Sequence, residues 1–319
     1  MLYLFYTLLG FIPLVVGASI LVDGASSLAR RLRIPVIVIG LTIVAFGTSA
    51  PELVVNLIAS FDGRSSIVLG NIVGSNIFNI LLILGIASII MPLAVKNTTT
   101  WIEIPLALLS AVAVFFVVSD RLLDGSGVNL ITSSEGALFI LFFLIFLGYN
   151  VVVALKGDEG GEGVEIKELT VWRSSLYIVA GILFLGFGGK VIVDNAVVFA
   201  ASLGIPERII AITIVSIGTS LPELATSVVA AVRKHDDIAI GNVVGSNIFN
   251  VFFILGLSAI VNPVEVSEGA LLDIMLNMGA SLLLFVFVFT GRGRQLDRWE
   301  GGFFIFAYTG YLFWLIYSI

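Results

Sequence analysis

Ten runs of about twenty mostly apolar residues follow one another along this chain, and no other feature restricts its fold so strongly. A helix that crosses a bilayer needs ~20 such residues, because no water is present there to satisfy its backbone. The runs are 3–23, 36–60, 67–91, 103–119, 135–155, 174–201, 208–232, 238–261, 268–290 and 300–318. Only 12% of the 319 residues are charged, against roughly 25% in a soluble domain. A soluble fold is excluded. The expected class is an all-α polytopic membrane protein with ten transmembrane helices.

The first run has neither a basic n-region nor a small-residue cleavage site, and it ends in Asp23 and Arg30, Arg31 and Arg33. It reads as a retained first helix and not as a secretory signal. Basic residues set the orientation. Loops one, three, five, seven and nine hold twelve of them, loops two, four, six and eight hold three, and Lys190 lies inside the sixth run. The odd loops and the polar stretch 156–173 are expected in the cytoplasm, with both termini outside, in the cell membrane.

Several function classes fall away on composition. The chain has no cysteine, so disulfides, thiolate catalysis and thiolate metal sites are excluded. Its one histidine, His235, lies in the charged turn Arg233-Lys234-His235-Asp236-Asp237 and reads as a solvated loop residue. No basic cluster interleaved with aromatics offers a surface for nucleic acid.

The two halves of the chain repeat. Asp23 aligns with Asp194, Pro35 with Pro206, Glu52 with Glu223, Gly70 with Gly241 and Pro92 with Pro263, all at an offset of 171 residues without a gap. Five helices per half give the copies opposite orientations: 1–155 is a first inverted repeat, 156–173 a cytoplasmic linker, and 174–319 a second inverted repeat. Inverted repeats with broken helices that meet near the midplane mark secondary transporters.

Within the second run stands Gly47-Thr48-Ser49-Ala50-Pro51-Glu52, and within the seventh Gly218-Thr219-Ser220-Leu221-Pro222-Glu223. A carboxylate at the bilayer centre costs on the order of 3 kcal/mol or more, so each glutamate is a functional candidate. Each proline lacks an N–H and frees the carbonyl four residues back, at Gly47 and Gly218. A second motif opens the third and eighth runs: Gly70-Asn71-Ile72-Val73-Gly74-Ser75-Asn76-Ile77-Phe78-Asn79, and Gly241-Asn242-Val243-Val244-Gly245-Ser246-Asn247-Ile248-Phe249-Asn250. Ser75 and Asn79 share a helix face, as do Ser246 and Asn250, and Thr48 and Glu52. Four oxygen-bearing stripes packed together make a cage of the hard oxygens that Ca2+ requires.

Plainer roles account for much of the remaining polarity. The glycines four apart serve helix packing. Most other Ser and Thr hydroxyls are expected to bond back to the preceding turn. Asn71 and Asn242 read as holding a helix end, and Asp194 as an intrahelical partner of Lys190.

The paired GTSxPE and GNxxGSNIFN motifs resemble the two alpha repeats of the cation/Ca2+ exchanger superfamily, in its sodium/calcium exchanger branch. A proton/calcium exchanger would carry a GNxxE-type motif where this chain has GTSAPE. The resemblance implies metal ligands at Thr48, Ser49, Glu52 and Asn79 in the first half and at Thr219, Ser220, Glu223 and Ser246 in the second. Ser75 is the symmetric neighbour of Ser246, and the carbonyls of Ala45 and Ser216 add backbone oxygens. Asn250 stands where potassium-dependent and several microbial relatives carry an aspartate, which leaves two formal negative charges in the cage. The function implied is electrogenic, K+-independent exchange of Na+ for Ca2+, with those ions as substrates, no cofactor, the lipid bilayer as surroundings and no obligatory protein partner. Alternatives are an H+/Ca2+ or other divalent-cation antiporter and, on the same oxygens, a cation channel. A hydrolase using Ser49 or Ser220 lacks a base, so the chain does not read as an enzyme.

Overall fold

The computed structural model describes residues 2–123, 125, 128–156, 168–203, 216–266, 269–291 and 293–318. Its main helices are α1 (Leu2–Leu32), α2 (Val36–Thr48), α3 (Ala50–Phe61), α4 (Ser65–Ile90), α5 (Thr99–Val117) and α6 (Ser133–Lys156). They continue as α7 (Val171–Ser202), α8 (Ser216–Thr219), α9 (Leu221–Val232), α10 (Asp236–Val261), α11 (Ala270–Phe287) and α12 (Arg298–Ser318).

Among the described residues seven helices are long and apolar enough to cross a membrane, and eight if α2 and α3 count as one span bent by 49°. The expected count of ten is therefore not reached on these criteria. The seventh and tenth runs, at α9 and α12, do not qualify, and the second does so only as a bent pair. Most of the first half of the seventh run, 208–215, lies outside the described residues, which leaves α9 as a shorter apolar helix. The second run is not one straight helix, because Ser49 leaves helical geometry (φ −84°, ψ 8°) and Pro51 sits in the first turn of α3. A proline is tolerated there because the first-turn N–H has no intrahelical partner to lose.

The elements recur at the offset seen in the sequence. α3 repeats as α9, and α4 as α10, down to a π-helical stretch inside each, Phe78–Leu84 and Phe249–Leu255. Short antiparallel strands then tie the halves to each other. β1 (Leu93–Ala94) pairs with β4 (Gln295–Leu296), and β2 (Leu130–Ile131) pairs with β3 (Val264–Glu265).

Burial separates a centre from a periphery. The most apolar windows of α4 and α10 are 78% and 83% buried, whereas those of α1 and α7 are 33% buried and that of α6 is 22% buried. The lipid-facing sides of the outer helices carry large apolar side chains such as Phe5, Leu8, Leu144, Ile145, Leu183 and Phe187, in keeping with a hydrocarbon surround. α1 and α7 have 31 and 32 residues. At 1.5 Å per residue they outrun a hydrocarbon core of ~30 Å, so they tilt or extend beyond it, as the polar end of α1 at Arg30 and Arg31 does. They pack tightly against each other: a Cβ placed on Gly17 would stand 2.8 Å from the Leu185 amide nitrogen and 2.9 Å from the Gly181 carbonyl. The second motif uses a glycine in the same way, since a Cβ on Gly245 would meet the Leu41 carbonyl at 2.6 Å and so keep α10 off α2.

Candidate cation site

Glu52 lies in the first turn of α3 and Glu223 in the first turn of α9. Helix N-termini carry unpaired N–H groups and a partial positive charge, the setting in which a carboxylate is best retained. Both side chains are buried, and among the described residues no ion pair includes either of them. Their support comes from hydroxyls across the repeat. Ser49 Oγ donates to Glu223 Oε1 at 2.7 Å, and Ser220 Oγ donates to Glu52 Oε1 at 3.0 Å. Ser49 Oγ also lies 3.0 Å from Ser246 Oγ, and Ser220 Oγ 3.0 Å from Ser75 Oγ. Each serine sits at the break before its helix, with nearly the same backbone angles (Ser220 φ −90°, ψ 8°). The broken helix aims the hydroxyl of one half at the carboxylate of the other.

The threonines of the first motif also bond to asparagines of the second. Thr48 Oγ1 donates to Asn242 Oδ1 at 3.0 Å and Thr219 Oγ1 to Asn71 Oδ1 at 3.3 Å. Asn71 and Asn242 thus lie within α4 and α10 and anchor the motif threonines, which corrects the expectation that they hold helix ends. They carry no charge and occur once per half, so spacing alone did not single them out. The halves differ here in one respect. Asn242 Nδ2 reaches the Glu223 carbonyl at 3.2 Å and Ser227 Oγ at 2.9 Å, whereas the Glu52 carbonyl accepts from Asn56 Nδ2 at 2.7 Å and Asn71 Nδ2 has no partner among the described residues.

Four buried acceptor oxygens at the centre have no hydrogen-bond partner among the described residues: Glu52 Oε2, Glu223 Oε2, Asn79 Oδ1 and Asn250 Oδ1. Leaving such atoms unpaired costs roughly 1–3 kcal/mol each, more for charged ones, and what they share is affinity for a positive charge. Asn79 and Asn250 lie in the π-helical stretches of α4 and α10, a departure from α-helical winding that is frequent at functional sites. Of the two expected backbone ligands, the Ala45 carbonyl accepts from the Ser49 N–H at 3.0 Å and lies 3.3 Å from Thr48 Oγ1. In the second half the Ser220 N–H reaches the Ile217 carbonyl, at 3.2 Å, and Ser216 is the first described residue of α8.

Polar residues outside this centre fall into place separately. Lys190 and Asp194 pair within α7 at 3.0 Å on an exposed face, as expected. Asp23 is not simply solvated: it joins Arg233 at 2.5 Å, and Arg233 also donates to the Ser19 carbonyl. His235 lies in the turn before α10, as expected, but is half-buried there and not fully solvated. Several other hydroxyls bond back to the preceding turn, among them Ser26 to Val22, Thr42 to Val38 and Ser110 to Ala107, while Ser27 and Ser133 reach carbonyls of other segments.

An all-helical polytopic bundle with paired carboxylates at broken helices is that of a membrane ion transporter. The chain belongs to the sodium/calcium exchanger protein family, whose profile matches residues 2–152 and 173–317. That family is one of transporters, not of catalysts. CaxA of Alkalimonas amylolytica is 36% identical over 324 residues, covering 98% of each chain. The sodium/calcium exchanger MaX1 of Methanosarcina acetivorans is 35% identical over 351 residues, covering 97% of each. A structure of the sodium-calcium exchanger NCX_Mj, soaked with 2.5 mM Na+ and 1 mM Sr2+, aligns with a TM-score of 0.82 at 30% identity and 97% coverage of both chains.

Proposed function

We propose that this protein exchanges Na+ for Ca2+ by alternating access, at one site built from both halves. The observation that carries the reading is the set of four unpartnered buried oxygens, two of them on carboxylates. The proposed ligands are Thr48, Ser49, Glu52, Ser75 and Asn79 with the Ala45 carbonyl, and Thr219, Ser220, Glu223, Ser246 and Asn250 with the Ser216 carbonyl. Ca2+ takes six to eight oxygens at about 2.3–2.6 Å, and this set provides that many. The names of MaX1 and NCX_Mj support Na+ as the counter-ion.

Charge gives the coupling. Two carboxylates neutralise one Ca2+, the neutral oxygens help to bind more than two Na+, and the three that the family resemblance implies would leave one positive charge in excess. Exchange is then electrogenic. Asn250 supplies an oxygen without a third charge, so an accompanying K+ has no electrostatic reason to bind. The repeat organisation supports ten spans in two inverted halves, 1–155 and 174–319, around a linker at 156–173. The distribution of basic residues supports both termini outside, in the plasma membrane.

The test is radioactive Ca2+ uptake into proteoliposomes under imposed ion gradients. We expect uptake that follows an outward Na+ gradient, responds to membrane potential, and is unchanged when choline replaces K+ at clamped potential. Uptake driven by a pH gradient and indifferent to Na+ would overturn the coupling, and a severalfold loss without K+ would overturn K+ independence.

A further inference from the structure

Two buried asparagines, Asn76 on α4 and Asn247 on α10, belong to the second motif but touch neither glutamate. Each donates to the other's backbone: Asn76 Nδ2 to the Asn247 carbonyl at 3.2 Å, and Asn247 Nδ2 to the Asn76 carbonyl at 3.3 Å. A backbone carbonyl only accepts, so it fixes the amino end of the amide that meets it. The Oδ1 of each crossing asparagine must then face a donor. Those donors are Asn79 Nδ2, which reaches Asn247 Oδ1 at 2.9 Å, and Asn250 Nδ2, which reaches Asn76 Oδ1 at 3.0 Å. With their amino ends engaged, Asn79 and Asn250 are left with Oδ1 buried and unpartnered.

The polarity of the whole chain of bonds therefore follows from two backbone carbonyls. We infer that Asn76 and Asn247 are positioning residues that turn the oxygen ends of Asn79 and Asn250 toward the transported cation, an inference that rests on the cation-site reading above. The need for such a device is particular to amides. A carboxylate offers an oxygen whichever way it rotates. An asparagine rotated by half a turn offers an N–H2 group, which repels a cation. A chain that keeps its cage at two charges by using amides must fix which end of each amide faces in.

A residue that merely spaced α4 from α10 would affect folding without regard to the chemistry at position 79, and this separates the two roles. The experiment uses the full-length protein in proteoliposomes and reads KM and kcat for Ca2+. Removing an outer-shell partner of a metal ligand typically costs about 10–100-fold in affinity. Asn247→Leu is expected to raise KM by about tenfold with a smaller change in kcat. The double variant Asn247→Leu/Asn79→Asp is expected to recover most of that loss, because a carboxylate at position 79 needs no orienting partner. Asn76→Leu and Asn76→Leu/Asn250→Asp pose the same question from the other half, so one well-folded pair is sufficient. A KM unchanged in Asn247→Leu, or a rise that the aspartate leaves uncorrected, overturns the positioning role. Asn79→Leu distinguishes that failure from a failure of the site itself. If Asn79→Leu also leaves KM unchanged, Asn79 is not a ligand and the cation-site reading falls with it. If Asn79→Leu raises KM and Asn247→Leu does not, only the positioning role is lost.

Discussion

The centre of the molecule and the end where α9 turns into α10 use the repeat in opposite ways. At the centre the halves are nearly interchangeable: Ser49 serves Glu223 as Ser220 serves Glu52, and Asn79 leans on Asn247 as Asn250 leans on Asn76. At that end they are not. Asp23 pairs with Arg233 on the other half of the chain, while its counterpart Asp194 pairs with Lys190 of its own helix. Lys96 reaches Asp237 at 2.6 Å, and the Ala94 N–H donates to Asp236 at 3.0 Å, whereas Ser66 and Ser65 occupy the equivalent places in the first half. On the proposed function, a single ion bound between two copies demands matched ligands. The ends of inverted halves would meet two different aqueous phases and be free to diverge. Symmetry therefore locates the shared chemistry, and its loss locates what distinguishes one face from the other.

The sharpest way to break this comparison is to remove one carboxylate at a time. Glu52→Gln and Glu223→Gln should each reduce Ca2+ transport by more than about 100-fold, beyond the usual cost of an outer-shell change. Both variants should remain folded, since a buried uncompensated charge has been removed. Flux assays paired with thermal melts check this, and near-normal flux in either variant would show that the halves are not equivalent. A milder version removes the hydroxyls that cross between halves. A hydrogen bond to a charged group contributes about 1.5–3 kcal/mol, so Ser49→Ala and Ser220→Ala should each raise the Ca2+ KM by roughly 10–100-fold. The two values should agree within a factor of about three.

The ends should respond unequally. Arg233 and Asp23 are partly buried, so Arg233→Gln should lower stability by about 1 kcal/mol, whereas the exposed Lys190→Gln should cost almost nothing. Chemical denaturation of the two variants in one detergent measures the contrast directly.

The smallest effect concerns pH. Burial, with the Arg233 charge as the second cause, holds His235 below its ordinary value of 6.5. As pH falls the unfolded chain takes up this proton first, so the folded state keeps its full margin above 6.5 and loses part of it as pH drops toward the folded-state value. His235→Gln should flatten that portion of the stability curve, which denaturation midpoints at a series of pH values will read.

Much of this was legible in the residues because membranes restrict what a sequence can mean. Runs of apolar residues announced the helices, and an offset of 171 residues paired the motifs before any contact was known. Glu52 and Glu223 stood out because a charge in such a run is too costly to keep without a task. Less visible was the bond pattern that crosses between halves, since Ser49 and Glu223 are 174 positions apart and nothing local relates them. Asn76 and Asn247 went unassigned for a related reason: their role depends on which end of a neutral amide faces which carbonyl, and composition and spacing carry no record of that. The Asp23–Arg233 pair was hidden because its members stand 210 positions apart and no local pattern relates them.

The central claim, that both halves contribute to one cation site, is tested most directly by anomalous diffraction from crystals soaked in Sr2+, a heavier stand-in for Ca2+. The account predicts a peak in contact with carboxylate oxygens of both Glu52 and Glu223, lost in Glu52→Gln crystals treated in the same way. Two separate peaks, each served by a single half, or a peak that persists unchanged in the variant, would contradict it.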